Sequence, residues 1–495
     1  MSTPWVPVPG ADDATARRSP SRGVTMTAER AGQFARAYRT GVTEQLEPPA
    51  RGARAVSTEA VAPRAAPAGP VALRGAVITP TAAWTDGYVL VDGGIVADVR
   101  RTKPDGVRVI DTDGVILPGL IDLHGHPEFN VFAAWEPPRQ FSNRYIWRSS
   151  DLYHQLVRDP QNELVTRLPS GTQLRYAEVR ALVGGVTAIQ GASARTAQSS
   201  AEPLVRNVDL WIFDQHRARS MIDLPSGPSG RGGAQLTRVL QGIADGAVDA
   251  FYLHLCEGRR DDRRSQTEFQ RFLDLGAATR ATVVIHGCAL SSDQLAVLTA
   301  QGCKLVWSPQ SNLRLYGQTT LAADALRHGM PVALGADWLP SGSTSLLAEM
   351  KVARRVLADQ GMTIEAHDLV HMVTAGAAEV AGLGQFLGAL APGRPADVVV
   401  LERHHADPYE NVCRADPAWV ELVLIGGDVA YGRDDWFTQI TEASQAPTHE
   451  LVFAWGQPMR LDTGFQVHPD QPSPSLTDIR TALIAAYPQV GPIFA

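Results

Sequence analysis

Lysine is almost missing from this chain. Of 45 basic residues only Lys103, Lys304 and Lys351 are lysine, and arginine supplies the rest. Between Lys103 and Lys304 no lysine side chain is available to a metal or a substrate. Cysteine is scarce as well. Cys256, Cys288, Cys303 and Cys413 have no C-x-x-C spacing, which speaks against a disulfide framework and predicts reduced, mostly buried thiols. No apolar run approaches the length of a membrane span, and the N-terminus lacks the apolar core of a secretory signal. The expectation is a cytoplasmic protein without a membrane partner. A net charge of -7 argues against a dedicated nucleic-acid binder. What is present is ordinary for a soluble enzyme: 44% hydrophobic and 20% charged residues in a 495-residue chain, enough for two or three domains.

Residues 1–70 are rich in Ala, Pro, Arg and Ser and read as a flexible arm, with an amphipathic helix over 26–46 and a linker over 56–70. From Val71 short β runs begin, at 71–78, 88–91, 95–99, 107–110 and 115–117, with Asp92-Gly93-Gly94 as a turn. A second set lies at 397–401, 419–425 and 429–431. The two sets predict one small β-sandwich domain built from both sides of the chain, over 71–117 and 386–438.

The centre, 118–385, alternates strands and helices. Strands are predicted at 120–123, 186–190, 208–213, 250–255, 282–285, 304–307 and 331–334, with the fourth of the series unplaced. Helices are predicted over 236–244, 267–278, 293–300, 321–328, 346–358 and 367–381, the second opened by a capping box, Ser265-x-x-Glu268. The fold class is therefore α/β, a (β/α)8 TIM-like barrel. A C-terminal extension over 439–495 has an apolar stretch at 451–455 and a helix at 475–487.

Chemistry-bearing residues follow the strands, where barrel enzymes place them. His124 and His126 end the first strand at i and i+2, a spacing that turns two imidazoles toward one point and suits a divalent metal. His254 and Glu257 follow the fifth strand, His286 the sixth, Ser308-Pro309-Gln310-Ser311-Asn312 the seventh and Asp337 the eighth. Each alone could be a satisfied polar residue, but the ordered set together points to a metallohydrolase. Gly227-Pro228-Ser229-Gly230-Arg231-Gly232-Gly233 lacks the lysine and Ser/Thr of a P-loop and reads as a barrel loop. No G-x-S-x-G elbow supports a serine hydrolase. The aromatics and arginines of 135–148 lie close behind the histidines, placed either to grip a flat anionic ligand or simply to pack.

With these residues the chain resembles the amidohydrolase superfamily, in its cytosine deaminase and triazine hydrolase (chlorohydrolase) branch. The resemblance runs from about Val71 to Tyr431. It rests on Pro118-Gly119-Leu120-Ile121-Asp122-x-His124-x-His126, His254-x-x-Glu257, His286-Gly287, Ser308-Pro309-x-Ser311-Asn312, Gly335-x-Asp337 and Gly388-x-Leu390-x-Pro392-Gly393-Arg394-x-Ala396-Asp397. It implies one divalent metal held by His124, His126, His254 and Asp337; zinc suits the nitrogen-rich set best and iron fits it too. The carboxylated lysine that bridges two metals in many relatives is impossible here for want of a lysine, while a glutamate or cysteine bridge stays open.

The implied reaction is hydrolysis of a non-peptide carbon–nitrogen bond by metal-activated water. Asp337 would relay the water's proton, Glu257 would protonate a ring nitrogen, and His286 would polarise the attacked carbon's substituent or hold the hydroxide. Deamination of a nitrogen heterocycle or guanidine-like group is the first reading. Cyclic-amide opening or loss of a non-amine group is the alternative, and a metal-bound inactive scaffold a remote one. The expected partner is a small-molecule substrate, with a homo-oligomer as an open expectation.

Overall fold

The structure is a computed structural model describing residues 69–169, 171–191, 204–210, 212–213, 217–440, 449–463 and 474–488. The helix expected over 26–46 lies outside the described residues, as does the linker over 56–70 except for its last two positions.

The strands in chain order are β1 (Val71–Ile78), β2 (Ala83–Asp92), β3 (Ile95–Arg100), β4 (Arg108–Pro118), β5 (Leu120–Asp122), β6 (Val186–Ile189), β7 (Arg206–Asn207), β8 (Ala218–Met221) and β9 (Ala250–Leu255). They continue as β10 (Thr282–His286), β11 (Lys304–Trp307), β12 (Val332–Leu334), β13 (Val398–Leu401), β14 (Val420–Ile425), β15 (Asp428–Arg433), β16 (His449–Ala454) and β17 (Gln457–Asp462). One nine-stranded sheet runs β16-β17-β15-β14-β13-β4-β1-β2-β3. It is built from both sides of the chain, because β13 returns to pair antiparallel with β4, Val399 opposite Leu117. The turn between β2 and β3 uses Gly93 and Gly94 at φ 57° and 87°, the left-handed pair that a tight hairpin requires. Leu73, Val89, Val96, Ile116, Val400, Leu422 and Phe437 share one core, so both halves of the sheet bury the same apolar face. The hairpin β16–β17 adds residues beyond 439 to this sheet.

The remaining strands are parallel and form two short sheets, β5-β6-β7 and β8-β9-β10-β11-β12. They meet at β12 and β5, where Leu123 N–H reaches Leu334 O and Gly125 bridges Asp337 in parallel register. Near β7 and β8 the link is a side-chain bond, Ser220 Oγ to Asp209 Oδ1 at 2.8 Å. Alternation along the strands separates two cores. Ile121, Ala188, Tyr252, Val283, Ile285, Val306 and Ala333 pack together inside, while Leu120, Val186, Phe251, Leu253, Val284 and Leu305 pack outward under the helices. Arg206 on β7 reaches Asp397, just before β13, with two bonds of 2.6 and 2.8 Å. That buried pair pins the parallel strands to the nine-stranded sheet.

Several expectations need correction. The third strand is β7, two residues at 206–207 rather than 208–213, because Asn207 Oδ1 accepts Asp209 N–H and its carbonyl accepts Leu210 N–H, turning the chain before the apolar run. The unplaced fourth strand is β8. Ser265-x-x-Glu268 is not a capping box: the helix is Arg263–Asp274 with Asp262 as N-cap, and Glu268 turns inward to accept Cys256 N–H and Tyr145 O–H. The helix expected over 367–381 is two, Ala366–His371 and Ala375–Val380, broken at Thr374. The four cysteines are free and buried. Among the described residues no helix is long and apolar enough to cross a membrane.

Candidate metal centre

β5 stops at Asp122, so His124 and His126 stand on the bend beyond the strand rather than on it. The bend is held from both sides. Asp122 Oδ1 accepts His124 N–H at 3.3 Å and Ala336 N–H at 3.1 Å, and Asp337 N–H donates to His124 O at 2.8 Å. Gly335 must be glycine here, since a Cβ would stand 2.4 Å from His124 Cβ. Cys256, His286 and Asp337 all adopt positive φ, 52°, 66° and 61°. Non-glycine residues in that region are strained and concentrate at functional sites.

The structure brings the expected residues together. Ring centroids of His124 lie 5.1 Å from His126, 4.8 Å from His254 and 5.0 Å from His286. Asp337 Oδ1 is 3.4 Å from His124 Nε2 and 3.7 Å from His126 Nε2. Ligand atoms of His124, His126 and His254 lie within 4.8 Å of one another, as do those of His124, His286 and Asp337, and those of His254, Glu257 and His286.

A divalent cation fits this set. Both ring nitrogens of His124 and Nδ1 of His254 are buried without a hydrogen-bond partner, a costly state for polar atoms. The carboxylate–imidazole distances are too long for hydrogen bonds but leave room for an ion taking nitrogen and oxygen ligands. Burial pushes His126 and His286 down to about 3 and moves His254 the same way, so neutral imidazoles face the centre. Burial would raise Asp337, but His124 beside it outweighs burial and holds the carboxyl below its usual range.

His286 differs from the other histidines because its tautomer is set. Trp307 Nε1–H, a donor only, bonds Thr319 Oγ1 at 2.8 Å. The Thr319 hydroxyl donates onward to Asn312 Oδ1 at 3.0 Å. Asn312 Nδ2 therefore donates to His286 Nδ1 at 2.9 Å, and the ring proton sits on Nε2. His286 faces Glu257 Oε2 at 3.8 Å with a donor.

Glu257 is buried beside a cleft that also meets His126, His254, Asp337, Trp147 and Trp338. Burial raises its carboxyl, and Arg144 pulls it partly back. Arg144, itself buried, has Nη1 3.9 Å from Glu257 Oε2. Arg259 and Arg260 tie the loop after β9 to Tyr316 O at 3.2 Å and Thr319 O at 2.7 Å.

Two residues escaped the sequence reading. Tyr316 ends the helix Pro309–Tyr316 and donates to Glu257 Oε1 at 2.6 Å; its partner is 59 positions away and no local pattern announces it. Arg144 was visible only as one arginine among several after the histidines.

Residues 233–430 match the amidohydrolase family. A 5-methylthioadenosine/S-adenosylhomocysteine deaminase of Teredinibacter turnerae is 28% identical over 324 residues, 59% of this chain and 73% of that protein. The Escherichia coli guanine deaminase structure superposes with a TM-score of 0.58 at 18% identity, covering 73% of this chain and all of that one. A zinc-bound adenosine deaminase from Xanthomonas campestris gives 0.57 at 17% identity, covering 72% and 92%. Over residues 233–430 the chain thus carries a match to the amidohydrolase family, and it is similar in sequence to that family's deaminases.

Proposed function

We propose that this protein is a single-metal aminohydrolase that deaminates a nitrogen heterocycle or guanidine-like group. The observation that carries the reading is Glu257, a buried carboxyl kept easy to protonate, in one cavity with the His/Asp cluster. In this reading the two parallel sheets are one (β/α)8 barrel over 118–385, and the nine-stranded sheet is a folded, sandwich-like β domain. His124, His126, His254 and Asp337 would hold the metal. One metal is favoured because β8, the fourth parallel strand, reads Ala-Arg-Ser-Met and offers no lysine, glutamate or cysteine as a bridge. Zinc is the first choice and iron the second.

When bound, the metal supplies a water acidified toward neutrality. Glu257 hands a proton from Oε2 to a ring nitrogen, making the neighbouring carbon electrophilic. His286 Nε2–H donates to the charge that develops at the attacked carbon. Asp337 takes one proton of the water and passes it to the departing amine, and the other returns to Glu257, so that N=C–NH2 and H2O become HN–C=O and NH3. Trp147 and Trp338 wall the cavity and would flank a flat ring. The deaminase names of the relatives favour an aminopurine-like substrate, met in the cytoplasm.

The test is ammonia release from zinc-loaded protein offered aminopurines, aminopyrimidines, aminotriazines and guanidino compounds. Ammonia from any of them, abolished by Asp337→Asn, is the expected result. Substrate consumed without ammonia would move the reading to ring opening or another leaving group.

A further inference from the structure

Trp147, Tyr316 and Glu257 form a buried hydrogen-bonded chain that ends on the proposed proton donor. Trp147 Nε1–H donates to Tyr316 Oη at 2.8 Å, and Tyr316 O–H donates to Glu257 Oε1 at 2.6 Å. Tyr316 is fully buried and Trp147 and Glu257 nearly so. The indole N–H can only donate, so it occupies the phenol oxygen as an acceptor. The single phenolic hydrogen is thereby aimed at Glu257. Burial and the Glu257 charge raise the phenol well above its ordinary value, so it stays a donor. With Oε1 occupied, Oε2 is the oxygen left facing His286 Nε2 at 3.8 Å and Arg144 Nη1 at 3.9 Å.

We propose that Tyr316 is a positioning residue that fixes which oxygen of Glu257 carries the proton, and that Trp147 fixes the hydrogen of Tyr316. Trp147 belongs to the short helix Arg144–Arg148 behind the metal histidines and its ring lines the substrate cavity. The orientation of the proton donor is thus tied to the place of an aromatic wall against which substrate lies. The inference rests on the reading of Glu257 as acid, but its geometric part is separately testable.

The experiment compares zinc-loaded wild type, Tyr316→Phe, Trp147→Phe and the double variant by crystal structure and by ammonia release. Tyr316→Phe is expected to turn the Glu257 carboxyl away from its wild-type place. It should lower kcat by at least about tenfold with KM and metal content unchanged. Trp147→Phe keeps an aromatic wall and loses the N–H, so a smaller fall in kcat is expected. The double variant should be no worse than Tyr316→Phe, because Trp147 acts through Tyr316. Glu257 unmoved in the Tyr316→Phe structure overturns the proposal whatever the activity. So do additive kcat losses in the double variant. Should Tyr316→Phe fail to fold, Trp147→Phe decides: Glu257 and kcat both unchanged overturn it. Glu257 displaced in a protein whose wild type releases no ammonia upholds the positioning and sinks the acid role.

Discussion

His124 and Asp337 are joined twice, by the Asp337 N–H to His124 O bond at 2.8 Å and by the approach of His124 Nε2 to Asp337 Oδ1 at 3.4 Å. They stand on bends beyond β5 and β12, separated by more than half of the described chain. The backbone bond sets the distance between the two side chains before any ion arrives. A centre held this way is preorganised, which is what a metal site needs from its support.

Removal of one ligand tests that centre directly. His124→Ala should reduce bound divalent metal from about one per chain to a small fraction, measured by elemental analysis after gel filtration, with far-UV circular dichroism unchanged. Two tightly held metals per chain in the wild type would refute the single-metal reading.

Glu257→Gln removes the transferable proton and keeps the shape. Metal content should be unchanged, while kcat falls roughly 10²–10⁴-fold. Steady-state ammonia release paired with metal analysis checks this. Full activity would mean that another group protonates the substrate.

The Arg206–Asp397 pair is buried on both sides, with Arg206 0% and Asp397 6% exposed. Asp397→Ala leaves the guanidinium without its bidentate partner and removes the acceptor of Gly426 N–H. A cost of about 3–5 kcal/mol is expected for a broken buried pair, read as a fall of several degrees in the thermal midpoint by calorimetry. An unchanged midpoint would show that the pair does not hold the sheets together.

Glu349, fully buried on the helix Leu346–Asp359, accepts Gln310 N–H at 3.0 Å. Burial pushes its carboxyl from 4.5 up to about 8. The folded chain therefore keeps this proton over a range where the unfolded chain has released it, and the native state binds more protons. The resulting stabilisation is complete below about 4.5 and is lost as pH rises through about 8. The thermal midpoint should decline between about 6.5 and 8, above the range in which the lowered His126, His254 and His286 give the opposite slope, and Glu349→Gln should flatten that decline. Asp122, raised to about 7 by burial, leaves a residual slope of the same sign. A variant with the wild-type profile would assign the pH dependence elsewhere.

The order of polar residues after apolar runs was legible because each strand of the parallel set delivers its last residues to the same end. His124, His126, His254, Glu257, His286 and Asp337 could be found by that rule without coordinates. The third strand was misplaced because Asn207 ends it by a side-chain bond that hydrophobic patterning does not register. Glu268 was misread for a related reason. Its spacing from Ser265 fits a cap, yet the buried N–H of Cys256 across the site is the stronger claim on its carboxylate.

What the sequence by itself determined is which side chains able to hold a metal or move a proton occur, and their order along the chain. Residue type decides which atoms can hold a metal or move a proton, and strand periodicity decides which end they reach. Only the tertiary structure decided the orientation of those atoms. The tautomer of His286 depends on Trp307 and Thr319, and the free oxygen of Glu257 depends on Tyr316 and Trp147. Tyr316 and Glu257 are distant in sequence and meet only when the strands close, and a hydrogen bond takes its direction from three-dimensional neighbours that no spacing encodes.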